Sequence, residues 1–87
     1  MAWVYILRGS TGRHYIGSTT DLPRRLAEHQ RGHTHTTKRL GPELQLIASI
    51  ELPTLAEART FERELKAKKN PKLALLALHA RQAKSAD

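Results

Sequence analysis

Two ionisable residues that the sequence directs toward a protein interior, Arg25 and Glu62, are the strongest candidates for chemistry in this chain of 87 residues. An arginine presents a planar fork of N–H donors that matches a phosphate bidentately, and a glutamate supplies the hard oxygen ligands that Mg²⁺ or Mn²⁺ prefers. The structural alternative is an ion pair between Arg25 and Glu62, or a pair between Glu62 and Lys66 one turn later. Taken alone, the residue types favour the structural alternative, because charges directed inward at helix edges are common.

Helical phase is what directs Arg25 inward. A helix is predicted from about Leu22 to Arg31, capped by Thr20 or Asp21, with Pro23 early enough to be tolerated. One arc of this helix carries two apolar and two polar side chains, and the polar ones are costly to bury unless they have partners or bind a ligand. The residues of this arc are Leu22, Arg25, Leu26 and His29.

A second helix is predicted from Thr54 to about Lys69, because Thr54 and Glu57 form a capping box. Glu62 falls inside its apolar arc, whereas Glu57 and Glu64 project to the other side. The apolar members of the arc are Leu55, Ala58, Phe61 and Leu65.

Asn70 and Pro71 predict an N-cap and first position of a third helix, with an inward face of Leu73, Leu76, Ala77 and Ala80. Leu75 and Leu78 leave that face and are a candidate partner surface, which would suit a subunit or scaffold protein. Residues 82–87 are expected to form a polar tail after a domain of residues 1–81.

Three strands complete the expected elements. Residues 3–7 and 14–17 predict a hairpin across a turn rich in glycine, and Tyr5 and Tyr15 can become neighbours on one of its faces. Residues 44–52 alternate cleanly, which predicts a half-buried strand with Leu44, Leu46, Ala48, Ile50 and Leu52 on one face. The expected fold is an α/β (α+β) domain with a three-stranded antiparallel sheet flanked by two or three helices.

Tyr15-Ile16-Gly17, with Tyr5 on the preceding strand and an Arg25-x-x-x-His29 pair on the following helix, resembles the GIY-YIG endonuclease domain, especially its small stand-alone members. Trp3-Val4-Tyr5 stands where the family name has Gly-Ile-Tyr, and the second half of the name is intact. The ordered set of matching residues covers nearly the whole chain.

The resemblance implies a site made of Tyr5, Tyr15, Arg25, His29 and Glu62, with Glu62 as the metal-binding acid. One matching carboxylate implies a single Mg²⁺ or Mn²⁺ rather than a two-metal site. Tyr5 is one candidate general base, although a phenol with an ordinary pKa of about 10 needs a nearby cation to favour its phenolate, and His29 is the other candidate. The downstream Asn of some family members has no counterpart, since Asn70 is explained as a cap.

Composition favours a nucleic-acid partner. Fifteen Lys and Arg against eight Asp and Glu give a formal net charge of +7, and a small basic domain binds polyanions by releasing counterions. The chain has no cysteine, and neither a membrane span nor a signal peptide is evident, so a cytoplasmic location is expected.

Predicted DNA contacts come from the basic loop after the first helix, from a basic cluster at the end of the second helix, and from the glycine of the second half-motif, where backbone or a ligand can approach closely. They are Gly17, Arg31, Lys38, Arg39 and Lys66. His33 and His35 have a short metal-ligand spacing, but a solvated basic loop explains them better.

The predicted function is a metal-dependent endonuclease that hydrolyses phosphodiester bonds in DNA with little sequence specificity, directed by DNA structure in repair or recombination. RNA stays open as a substrate. The alternative function is a nucleic-acid-binding module on the same fold that does not cut.

Overall fold

The computed structural model describes residues 1–31 and 43–85, which form a three-stranded antiparallel sheet and three helices. The strand order is β2-β1-β3, so β1 is central and β2 is an edge strand. This architecture confirms the predicted fold class. In chain order the elements are β1 (Ala2–Gly9), β2 (His14–Thr19), α1 (Leu22–Gln30), β3 (Leu44–Leu52), α2 (Leu55–Ala67) and α3 (Pro71–Ser85).

The β1–β2 hairpin sets the neighbours of the candidate site. Tyr5 pairs with Gly17, and Leu7 pairs with Tyr15. Gly12 in the turn has a φ of 86°, a conformation that glycine adopts without the steric cost of a side chain. Because alternate residues of a strand share a face, this register places Tyr5 and Tyr15 on the same side of the sheet.

Each face of the sheet carries its own apolar cluster. Val4 and Ile6 face α2 and α3, where they pack with Leu65 and Leu78. The last two side chains are 1% and 0% exposed, and burying a leucine contributes roughly 1.5–3 kcal/mol to stability. The opposite face packs against α1 through Trp3, Tyr5, Leu7, Tyr15, Leu22 and Leu26.

The prediction that β3 keeps one alternating face is wrong, because a β-bulge interrupts the strand. Ile6 pairs with Ala48 and Leu7 pairs with Leu46, so Ile47 is an extra residue in β3. An extra residue reverses the side to which the following side chains point. Ala48, Ile50 and Leu52 therefore join the core beneath α2 and α3, whereas Leu44 and Leu46 line a small cavity with Leu7, Leu26 and His29.

The helix starts lie where the sequence predicts them. The Asp21 carboxylate accepts a hydrogen bond from the Arg24 N–H at 3.2 Å, and the Thr54 hydroxyl accepts one from the Glu57 N–H at 3.1 Å. Asn70 accepts one from the Lys72 N–H at 2.9 Å. These bonds satisfy backbone donors that the first turn of a helix leaves without an intrahelical partner.

The predicted inward face of α3 is wrong except at Ala77, which packs against the core. Leu73 and Leu76 are 49% and 65% exposed, whereas Ala74 and Leu78 are buried and Leu75 packs against the core. Leu75 and Leu78 therefore do not form a partner surface. Apolar residues surround most of this helix, so their spacing does not select one face, and packing beneath β3 decides which face is buried.

Helix α3 also extends to Ser85, into the segment expected to be a tail. Among the described residues, no helix has the length and apolar character needed to cross a membrane.

Candidate active site

Four predicted site residues, Tyr5, Tyr15, Arg25 and His29, meet between β1, β2 and α1, and we call them the tyrosine cluster. Tyr5 and His29 are 0% and 1% exposed, and the Tyr5 Oη lies 2.7 Å from His29 Nε2. The Tyr15 ring centroid lies 6.1 Å from that of Tyr5 and 5.0 Å from that of His29. Helical phase on α1 and the register of the hairpin together produce this arrangement.

Gly17 is what allows the two tyrosines to sit so close to β2. A Cβ atom added at Gly17 would lie 2.6 Å from the Tyr5 Oη, 2.7 Å from Tyr5 Cζ and 2.9 Å from Tyr15 Cε1. All three distances are shorter than a side chain tolerates. The close approach that the sequence predicts at Gly17 is therefore made by Tyr5 and Tyr15 from within the protein.

Arg25 is the exposed edge of the tyrosine cluster. Its side chain is 32% exposed, and its Nη1 lies 3.6 Å from a carboxylate oxygen of Glu28 on the same helix. A hydrogen bond to Tyr5 is the largest influence on Arg25 and raises its pKa, so the guanidinium stays charged. Arg25 pairs with Glu28 and not with Glu62, which removes the first structural alternative raised by the sequence.

Burial acts in opposite directions on the pKa values of the two candidate bases. Burial and the neighbouring Tyr15 raise the pKa of Tyr5 above its ordinary value, although Arg25 opposes this shift. Burial, followed by the positive charge of Arg25, lowers the pKa of His29. At neutral pH the pair therefore consists of a neutral phenol and a neutral imidazole, and the tautomer with a bare Nε2 can accept the Tyr5 proton.

Glu62, Ser18 and Lys66 form a second group, which we call the carboxylate cluster. The Ser18 hydroxyl donates to Glu62 Oε1 at 2.5 Å, and Lys66 Nζ lies 2.7 Å from Glu62 Oε2. The Glu62 and Lys66 side chains are 20% and 51% exposed. The second structural alternative, a pair between Glu62 and Lys66, is thus present in the structure.

Ser18 is a site residue that the sequence analysis did not identify. The signal was available, since strand alternation places Ser18 on the face opposite to Gly17, toward the helix that carries Glu62. The sequence does not show that α2 packs against β2, because the contact joins two residues that are 44 positions apart.

The two clusters lie on opposite faces of β2, so the five residues of the site that the resemblance implies do not share one face of the sheet. Tyr15 and Gly17 face α1, whereas Ser18 faces α2. Because β2 is the edge strand, a ligand that lies along this edge can reach both faces.

Among the other predicted contact residues, Arg31 is exposed at the end of α1, and Lys66 belongs to the carboxylate cluster. Lys38 and Arg39, like His33 and His35, lie outside the described residues. Across residues 1–31 and 43–85, no group of three or more His, Cys, Asp or Glu side chains could hold a metal ion. A metal at Glu62 would therefore depend on one carboxylate.

The structure is a small α/β domain with two tyrosines, an arginine and a histidine on one side of its edge strand and a glutamate on the other. This combination of fold and site residues is typical of one family of nucleases. The model of the GIY-YIG catalytic domain matches residues 1–74, and the chain belongs to this family. Membership supports a nuclease-like role.

Relatives of known sequence and structure agree with this assignment. The chain is 39% identical over 70 residues to a UPF0213 protein of Streptococcus pneumoniae, covering 80% of this chain and 71% of that protein. It is 38% identical over 64 residues to a UPF0213 protein of Cronobacter sakazakii, covering 74% and 67%. The solution NMR structure of the UPF0213 protein BH0048 from Bacillus halodurans superposes with a TM-score of 0.54 at 33% identity, covering 90% of this chain and 87% of the other.

Proposed function

We propose that the protein is a metal-dependent endonuclease that hydrolyses phosphodiester bonds in DNA with little sequence specificity. The observation that carries the proposal is the placement of Arg25, beside the hydrogen-bonded Tyr5 and His29, and of Glu62 on the two sides of one edge strand. A cation-binding carboxylate and a phosphate-binding guanidinium are what hydrolysis of a phosphodiester needs around its reacting oxygens.

The residues present fit one divalent cation. Mg²⁺ is usually bound by one or two carboxylates, and waters and substrate phosphates complete its shell. Glu62 offers a partly exposed carboxylate whose Oε1 is already oriented by the Ser18 hydroxyl. When bound there, Mg²⁺ or Mn²⁺ would supply positive charge for the phosphate oxygens.

Arg25 supplies the second positive charge. Its partial exposure leaves donors accessible at the edge of β2, and its raised pKa keeps it charged throughout the physiological range. A guanidinium that binds two phosphate oxygens orients the group and stabilises charge that grows in the transition state.

The pKa directions favour His29 as the final proton acceptor, with Tyr5 as the group that transmits the proton. A proton taken from water by the Tyr5 hydroxyl would be matched by transfer of the Tyr5 proton to His29 Nε2, 2.7 Å away. Tyr5 is fully buried, so water reaches its hydroxyl only after neighbouring side chains move.

The formal charge of +7 supports DNA as the substrate. Contacts of Arg31, Lys38 and Arg39 with the DNA backbone belong to the same proposal. A role in repair or recombination and a cytoplasmic location belong to it as well. A domain of this size has room for few base contacts, which favours recognition of DNA structure over sequence.

A cleavage assay tests the proposal on end-labelled single-stranded, duplex and branched DNA, each with Mg²⁺, Mn²⁺ or EDTA. We expect metal-dependent products from the wild type and at least about a hundredfold slower cleavage by Glu62→Gln. Glu64→Gln is the matched control, because Glu64 is an exposed carboxylate on the same helix.

DNA affinity measured in EDTA should be similar for the wild type and both variants. Undiminished cleavage by Glu62→Gln would remove Glu62 from the metal site. Binding without products on every substrate would instead support the alternative, a nucleic-acid-binding module in which the Glu62–Lys66 pair is purely structural.

A further inference from the structure

A cavity of about 360 Å³ opens beside the carboxylate cluster, between β2, the end of α2 and the start of α3, and we call it the edge pocket. Its inner wall is apolar and includes Ile16, Leu65 and Ala74. Its rim is basic and polar, with His14, Lys66 and Lys69. The volume falls in the range of pockets that bind small organic groups, about 300–1,000 Å³.

The edge pocket adjoins the carboxylate cluster and reaches one member of the tyrosine cluster, Tyr15, at the edge of β2. Tyr15 contributes to the pocket and to the tyrosine cluster, and Lys66 contributes to the pocket and contacts Glu62 at 2.7 Å. A DNA strand whose phosphate lies between Arg25 and Glu62 therefore has a neighbouring nucleotide at the mouth of the pocket. The cations on the rim match the charge of the phosphate that joins that nucleotide to the next one.

An apolar wall inside a basic rim is chemically suited to one nucleotide, with the base inside and the phosphate at the rim. A base that is paired and stacked in a duplex cannot enter such a pocket without being unstacked, which costs free energy. An unpaired base enters without that cost. We propose that the edge pocket binds the base of an unpaired nucleotide next to the cleaved phosphate, so that DNA with a single-stranded segment is the preferred substrate; this inference rests on the proposed function.

Lys69, on the rim of the pocket, has an unusual backbone conformation. Its φ is 55°, in the left-handed region that favours glycine over residues with a Cβ atom. A glycine would fit that backbone with less strain, and the charged side chain on the pocket rim is what the lysine adds. This position therefore allows the charge to be removed without a cost to the backbone.

The first test changes only the DNA. Fluorescence anisotropy in EDTA, at one fixed salt concentration, compares a paired duplex, the same duplex with a one-nucleotide flap, and the flapped duplex with an abasic tetrahydrofuran residue in the flap. We expect the flapped duplex to bind about tenfold more tightly than either of the other two, the range in which single-base contacts contribute to binding. Equal affinity for the nucleotide and abasic flaps would overturn the proposal.

The second test changes the pocket. Lys69→Gly should lower affinity for the flapped duplex more than for the paired duplex, while the midpoint of thermal unfolding stays the same or rises. Lys72→Ala is the matched control, since it removes the same charge from a neighbouring exposed position that does not line the pocket. If both variants lowered the affinity for the flapped and the paired duplex equally, the lysine would act only by general electrostatic attraction. That result would contradict the proposal.

Because both tests are made in EDTA, they are independent of cleavage. Absence of cleavage in the metal assay would refute the proposed function and leave the flap preference measurable. Loss of the flap preference beside metal-dependent cleavage would refute only the edge pocket as a base-binding site.

Discussion

The two sides of β2 solve the problem of placing polar groups in a small domain in different ways. On the α1 side, Tyr5 and His29 are almost completely buried and satisfy each other with a hydrogen bond of 2.7 Å. On the α2 side, Glu62 keeps 20% of its side chain exposed and pairs with Lys66, which is 51% exposed. One side is part of the core, and the other is open to exchange with solvent.

This difference indicates which groups can be replaced by a ligand. An ion pair open to water contributes about 0–1 kcal/mol, so a divalent cation or a phosphate can separate Glu62 from Lys66 at little cost. The bond between Tyr5 and His29 joins two buried side chains, and a buried polar group that loses its partner costs about 1–3 kcal/mol. The Tyr5–His29 pair is therefore the fixed part of the site, and the carboxylate cluster is the adjustable side, where we propose that the cation binds.

The largest expected effect comes from removing the positively charged side chain of Arg25 from the tyrosine cluster. Arg25→Ala should slow cleavage by about 10²–10³-fold, because a donor that stabilises transition-state charge is lost, while DNA affinity in EDTA changes little. Arg24→Ala serves as the control, since Arg24 contacts the same Glu28 but is 79% exposed. Equal losses of rate and affinity in Arg25→Ala would make Arg25 a docking residue.

A smaller effect is expected at Gly17, where the α1 side of β2 depends on close packing. Gly17→Ala should lower the free energy of unfolding by about 1–3 kcal/mol, because its Cβ would overlap the buried Tyr5 side chain. Urea unfolding should show a smaller cost of Gly17→Ala in a Tyr5→Phe background, which lacks the hydroxyl oxygen. Identical costs in the two backgrounds would show that contact with the Tyr5 hydroxyl does not explain the glycine.

The smallest expected effect is a pH dependence that belongs to the buried side alone. The pKa of His29 is lowered in the folded state, so the unfolded chain binds more protons near pH 6 and stability falls as the pH drops below the ordinary histidine value of about 6.5. Urea unfolding between pH 7 and 5 should show a steeper loss of stability in the wild type than in His29→Gln. The other histidines are common to both proteins, so parallel slopes would show that His29 does not titrate with folding.

Sequence patterns were sufficient for the features that depend on neighbours along the chain. Asp21, Thr54 and Asn70 cap their helices as predicted, because a cap is a contact within three or four residues. The inward direction of Arg25 and His29 follows from helical phase on a helix with one apolar arc. The same reasoning failed on α3, which has apolar residues on nearly every side. Helical phase therefore did not distinguish the exposed Leu73 and Leu76 from the buried Leu78.

By itself, the amino-acid sequence determined the helix caps, the presence of the hairpin, and the set of residue types that marks the family. The tertiary structure alone decided that the bulge at Ile47 turns the two ends of β3 toward opposite faces of the sheet, that Glu62 approaches β2 from the face opposite to the tyrosines, and that Ser18 holds it there. The physical reason is the separation along the chain between the residues that make each contact. Caps and helical phase depend on contacts within a few residues, whereas a strand's register and the packing of a helix on a sheet are set by the free energy of the whole core.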